Sequence, residues 1–184
     1  MAHSARPATP TTKSFNSALM IVVIAVIIYC IPEIYHMLAH GIFITRLSPA
    51  LPDGLAASAL PRGAVIGYLA AFGVKYASLI AGAVFLTRAF TSMLRGRLFT
   101  NTATRSLRFA GYSIICWLIA RLGIEGLANN YAASALGVES WWNTGSGTPL
   151  SDVSPALILI ATLIAFEAVL VRGKTLEEEV DGLV

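Results

Sequence analysis

The sequence predicts an all-α integral membrane protein, a bundle of four transmembrane helices with the N and C termini both cytoplasmic. Three observations predict it. Of 184 residues, 56% are hydrophobic and 12% charged, about half the charged fraction of soluble domains. A soluble chain of this size could not bury that much apolar surface. Four apolar stretches, at about 18–38, 63–86, 107–128 and 153–171, approach the ~20 residues needed to cross a bilayer. Finally, Lys and Arg are unevenly placed: two in the N-terminal tail, two in the first loop (Arg46, Arg62), five in the second (Arg88, Arg95, Arg97, Arg105, Arg108), none in the third, and two after the last span (Arg172, Lys174). The positive-inside bias puts the second loop and both termini in the cytoplasm, although the two arginines of the first loop soften the contrast.

The net charge of +3 is not the broad basic surface of a nucleic-acid binder, so no direct nucleic-acid partner is expected. Cys30 and Cys116 both fall in apolar segments, which argues against a disulfide framework.

Residues 1–17 are small, polar and proline-bearing and read as a disordered cytoplasmic tail. A signal peptide is the rival, but the apolar run continues to about residue 39 and no small-residue cleavage site follows. The domain 18–172 then holds the four helices. Pro32 should kink the first span near its outer end. The loop 41–62 is punctuated by Pro49, Pro52, Asp53-Gly54 and Pro61, and its apolar start GIFITRL suits the interface. In the second span Gly63, Gly67 and Ala71 recur every fourth residue, with Gly82 further along, a pattern that lets another helix approach closely. The loop 129–152 carries Trp141-Trp142 and no basic residue, with a short interfacial helix expected around 131–136. Tryptophans there suit the headgroup belt.

The stretch 88–108 is the most distinctive. Gly96 before Leu98 and Phe99 suits a helix stop, and Thr100 or Asn101 can cap the helix that follows. Its arginines either anchor the topology or dock an acidic partner or the anionic headgroups of membrane lipids. In the tail, Glu177, Glu178, Glu179 and Asp181 follow Arg172 and Lys174. That run is either a solvated helix end or, with Leu176, Leu183 and Val184, a dock for the 95–108 loop or a cytoplasmic protein.

Two of these motifs carry a resemblance. Gly96-Arg97-Leu98-Phe99-Thr100-Asn101, preceded by Arg95 and followed by Leu107-Arg108 and Gly111, resembles the turn after the second span of a bacterial four-span family, DUF2975. The C-terminal run 173–184 is similar to that family's ending, with Gly173, Leu176, Glu179, Asp181 and Val184 matching and Leu183 departing from its usual threonine. The resemblance implies a multi-pass protein of the bacterial cytoplasmic (inner) membrane, with no established reaction and no catalytic residue. It also implies a small helix-turn-helix regulator as a partner, which points to a regulatory role.

Ionisable residues at membrane depth cost about 2.5–3.5 kcal/mol each on insertion scales and are functional hypotheses by default. Lys75 lies mid-span on the small-residue face, and Arg121 and Glu125 are four apart on one helix face. Glu167 sits one turn inside the last span, within reach of Arg88, Arg108 or Arg172. Lys75, Arg121 and Glu125 therefore line a polar pathway or belong, with Glu167, to an ion-pair network that fixes helix register. Glu33, His36 and His40 share a helical face and are the candidates for a metal site, which would need a further ligand such as Asp53 or Glu139. Interfacial histidines are the plainer reading. Catalytic serine elbows, phosphate loops, dinucleotide fingerprints and haem attachment motifs are missing from the sequence, so neither enzyme activity nor a cofactor is expected.

The reading is a non-enzymatic membrane regulator or accessory subunit working through the basic loop and acidic tail. The alternative is a small transporter or channel subunit, acting as a homo-oligomer, with a polar path through Lys75, Arg121 and Glu125.

Overall fold

A computed structural model describes residues 12–94, 100–138 and 149–181. They are almost entirely helical. Helix α1 is Thr12–His40, α2 Arg62–Leu94, α3 Asn101–Leu118, α4 Glu125–Leu136 and α5 Pro149–Asp181, with a π-helical segment Ile119–Ile124 joining α3 to α4. Three helical stretches, Arg62–Met93, Asn101–Leu136 and Val153–Val180, are long and apolar enough to cross a membrane; the apolar stretch Ile24–His40 of α1 is shorter. Their outward faces carry large apolar side chains, among them Leu127 at 72% and Ile158 at 67% exposure. In water such a surface would aggregate; in hydrocarbon it is the ordinary lipid face.

The helices overrun the expected spans. The tail was expected to be disordered to residue 17, yet α1 is helical from Thr12, because extending a nucleated helix gains one hydrogen bond per residue fixed. Residues 1–11 lie outside the described residues. The expected third span and its separate 131–136 helix are one run, Asn101–Leu136. Nothing in 107–136 breaks it until Gly137, whose φ of 71° ends α4. The Gly137 and Val138 amides donate to the Ser134 and Ala133 carbonyls, the pattern of a glycine C-cap. Helix α5 likewise continues through the charged tail to Asp181, where Lys174 and Glu178 pair at i, i+4.

The α2–α3 pair is the centre, with α1 packed chiefly on α2 and α5 on α3. With no hydrophobic drive between helices in lipid, close approach depends on small residues. A Cβ added at Gly67 would lie 3.0 Å from Ala128 Cβ, and one at Gly63 3.0 Å from the Tyr131 ring. The glycine stripe expected to seat a helix therefore seats α4.

The loop after α1, whose apolar start suits the interface, has a structure of its own. It folds into a cap: strand β1 (Ile42–Phe43) pairs antiparallel with β2 (Leu55–Ala56), closed at Gly54 with φ 74°. Phe43, Leu47 and Leu55 are buried against Ala64 and Tyr68 of α2 and Ala128, Ala132 and Ala133 of α4. Each such side chain contributes about 1.5–3 kcal/mol on burial from water, more than an exposed position at the interface would. A second core, Ala89, Leu107, Ala110, Leu163 and Leu170, joins α2, α3 and α5 at the other end.

Candidate functional site: a closed ion network

Lys75 lies thirteen residues from both Arg62 and Arg88, about 20 Å along the helix in either direction. It is 1% exposed. Its Nζ donates to Glu33 Oε1 at 2.6 Å and to Glu125 Oε2 at 3.0 Å. The second oxygen of Glu33 accepts from the Tyr76 hydroxyl at 2.6 Å, and that of Glu125 accepts from Arg121 Nη1. The result is a chain Tyr76–Glu33–Lys75–Glu125–Arg121 in which two cations balance two carboxylates. Toward the cap, the Tyr68 hydroxyl donates to Asn129 Oδ1 at 2.9 Å.

The π-helical segment aims Glu125. The buried positions of α3 run Ala103, Leu107, Ala110, Ser113, then Ala120. A regular helix would next bury Ile124; instead the step is five residues, to Glu125, followed by Ala128 and Ala132. The Glu125 amide donates to the Ala120 carbonyl, the i→i+5 bond of a π turn. The extra residue re-phases the helix by roughly 100° and brings the carboxylate onto Lys75.

The expected four-residue network is thus divided and enlarged. Lys75, Arg121 and Glu125 meet, as expected for an ion-paired set. Glu167 belongs elsewhere: Arg108 Nε and Nη2 reach its Oε1 at 2.9 and 2.5 Å, at the opposite end of the bundle. Glu33, grouped in the sequence with His36 and His40 only as a candidate metal ligand, is the missing member. Both its oxygens are taken by Lys75 and Tyr76, while His36 and His40 are exposed, their rings 5.7 Å apart, with Tyr35 packed against both. Among the described residues no group of three or more His, Cys, Asp or Glu side chains could hold a metal. The spacing i, i+3, i+7 put Glu33 on the histidine face, but it did not weigh the pull of an uncompensated lysine on the next helix. Tyr76 and the π turn carried no motif. The step of five in the small-residue stripe was the one available signal.

Beyond Lys75 the polar chain does not continue. A cavity of about 420 Å3 lies between α1, α2, α3 and α5. Ala25, Leu79, Gly82, Ile114, Pro155 and Leu159 line it, with Ser78 and Ser113 its polar exceptions beside Trp117, whose buried Nε1 has no hydrogen-bond partner. Apart from these its wall is apolar and offers an ion or proton few groups to bind.

At the other end, Thr100 caps α3, its side chain accepting from the Ala103 amide at 3.3 Å, and it bonds Ser92 of α2 across the turn at 3.0 Å. Asn101 Oδ1 accepts from Lys174 of α5 at 3.1 Å. Leu107 is buried in the second core and Arg108 holds Glu167. Arg95, Gly96, Arg97 and Phe99 lie outside the described residues, as does Val184. Gly173, Leu176, Glu179 and Asp181 all fall in α5, with Leu176 and Glu179 exposed. Lys174, which was not among the residues expected to dock, joins α5 to the start of α3 through Asn101.

Compared with protein-family models, with curated proteins and with solved structures, the chain matches none.

Proposed function

We propose that this chain is a four-span protein of the bacterial inner membrane and a non-enzymatic regulator or accessory subunit, consistent with its resemblance to DUF2975. Both termini and the 88–108 turn face the cytoplasm, on the arginine distribution. Helix α1, with 29 residues, is about 44 Å long and serves as the fourth span. The observation that carries the reading is the segregation of charge. Within the bundle, Lys75, Arg121, Glu33 and Glu125 satisfy one another, which is what a register-fixing network does. Exposed charge is denser at the cytoplasmic end, where Arg88 and Arg105 stand near the inner ends of α2 and α3 and Glu177, Glu178 and Glu179 lie along the end of α5, than at the other, where Asp53 and Arg62 are exposed. A transport path through Lys75, Arg121 and Glu125 is disfavoured by the apolar cavity that follows it.

The test is purification of the tagged protein in mild detergent, wild type against a variant with Glu177, Glu178 and Glu179 changed to Gln. A stoichiometric cytoplasmic partner, such as a small helix-turn-helix regulator, should accompany the wild type and be lost from the variant. A homo-oligomer that retains a solute, with no partner and no effect of the tail, would move the assignment to transport.

A further inference from the structure

We propose that the inner ends of α2 and α3 form a binding site for a phosphate group, in the pocket between Arg88 and Arg105. This goes beyond the regulatory reading in naming a ligand, and it rests on that reading only for which face of the membrane the site meets.

The pocket has a volume of about 460 Å3 and is framed by Arg88 on α2 and by Asn101, Thr102 and Arg105 on α3. Its floor is the stacked pair Phe85 and Phe109, with ring centroids 5.2 Å apart. The Arg105 guanidinium lies 5.4 Å from the Phe109 ring centroid, a cation–π contact that holds it in place without consuming its hydrogen bonds to an anion. Lys75, Arg108, Arg121 and Lys174 each face a carboxylate. Among the described residues, Arg88 and Arg105 have no carboxylate within salt-bridge distance. No acidic side chain lines the pocket.

Phosphate fits this frame better than a metal or a neutral solute. Two guanidinium forks from different helices can each take two oxygens of one tetrahedral anion. The Asn101 and Thr102 side chains at the start of α3 add polar contacts. The aromatic floor suits the apolar root of a lipid headgroup. A soluble phosphate would engage the same arginines without needing that floor.

The experiment uses the full-length protein, with Arg88→Gln, Arg105→Gln and their double, and with Arg62→Gln at the far end of α2 as the control. One arm reconstitutes each protein in nanodiscs of phosphatidylcholine alone or with added phosphatidic acid, and measures the thermal midpoint and the lipid retained in native mass spectrometry. The other arm titrates inorganic phosphate in detergent at constant ionic strength. Each arginine lost should weaken binding at least about tenfold, the worth of even one of its two charge-assisted hydrogen bonds, with Arg62→Gln unchanged. A response to phosphatidic acid alone identifies a headgroup site, and a response to both identifies a soluble phosphate site. If wild type and the Arg88→Gln/Arg105→Gln protein behave alike in both arms, the proposal is wrong. Should partner capture persist in that case, the regulatory reading survives without it.

Discussion

Tyr68 and Arg108 show how differently single polar contacts count in this molecule. The Tyr68 hydroxyl is the donor to a buried Asn129 Oδ1. Tyr68→Phe leaves that oxygen without its partner in a site with little water, and should cost about 1–2 kcal/mol, read as a drop in the thermal midpoint. The Arg108 side chain is 55% exposed where it meets Glu167, so Arg108→Gln should leave the thermal midpoint nearly unchanged. A large loss in that variant would mean that Glu167 is a structural anchor of α5. At this scale the sequence is informative about kinds of residue and poor about partners. Lys75, Arg121 and Glu125 stand out because charge is rare in such segments. Glu33 was grouped with His36 and His40 because three polar residues on its own helix made a local pattern, and the partner that claims it is forty-two residues away.

Among the elements, α2 and the α3–α4 run are fitted to each other by glycine on one side and by the π turn on the other. Gly67 faces Ala128, whereas Gly73 has nothing within 4 Å of an added Cβ. Gly67→Leu should therefore overpack the interface and destabilise by about 1–3 kcal/mol, while Gly73→Leu, on the lipid face, should leave the midpoint unchanged. Equal effects of the two would rule out the close seating of α4. Deleting Leu122 should convert the π turn to regular helix and leave Glu125 four residues after Ala120, still aimed at Lys75, so the midpoint should stay close to that of the wild type. The helical spans and the glycine stripe were legible because apolar length and small-residue spacing are local properties. Their ends were not, since a helix can run on beyond the apolar stretch until a cap such as Gly137 ends it, and α5 continues through its charged residues to Asp181. The cap was missed for another reason: Phe43, Leu47 and Leu55 look interfacial until the ends of α2 and α4 offer them a core.

In the whole molecule, the ion network is what joins the peripheral α1 to the centre, through Glu33 on α1, Lys75 on α2, and Glu125 on α4. The orientation of that bundle is open to direct test by single-cysteine labelling in a background without Cys30 and Cys116. Positions near 100 and 178 should react from the cytoplasmic side and position 53 from the other; labelling of 53 and 100 from one side would overturn the four-span topology. Whether the buried charges exist to hold helices together can be measured most directly as a thermal-midpoint cycle in nanodiscs with Lys75→Met, Glu33→Gln and the double variant. Lys75→Met alone strands Glu33 and should cost about 3 kcal/mol or more, as losing one partner of a buried pair does. The double variant leaves Arg121 and Glu125 as a balanced pair and should recover at least half of that loss. A double variant no more stable than Lys75→Met, or a Lys75→Met protein as stable as the wild type, would contradict a structural network and return Lys75 to the candidates for transport.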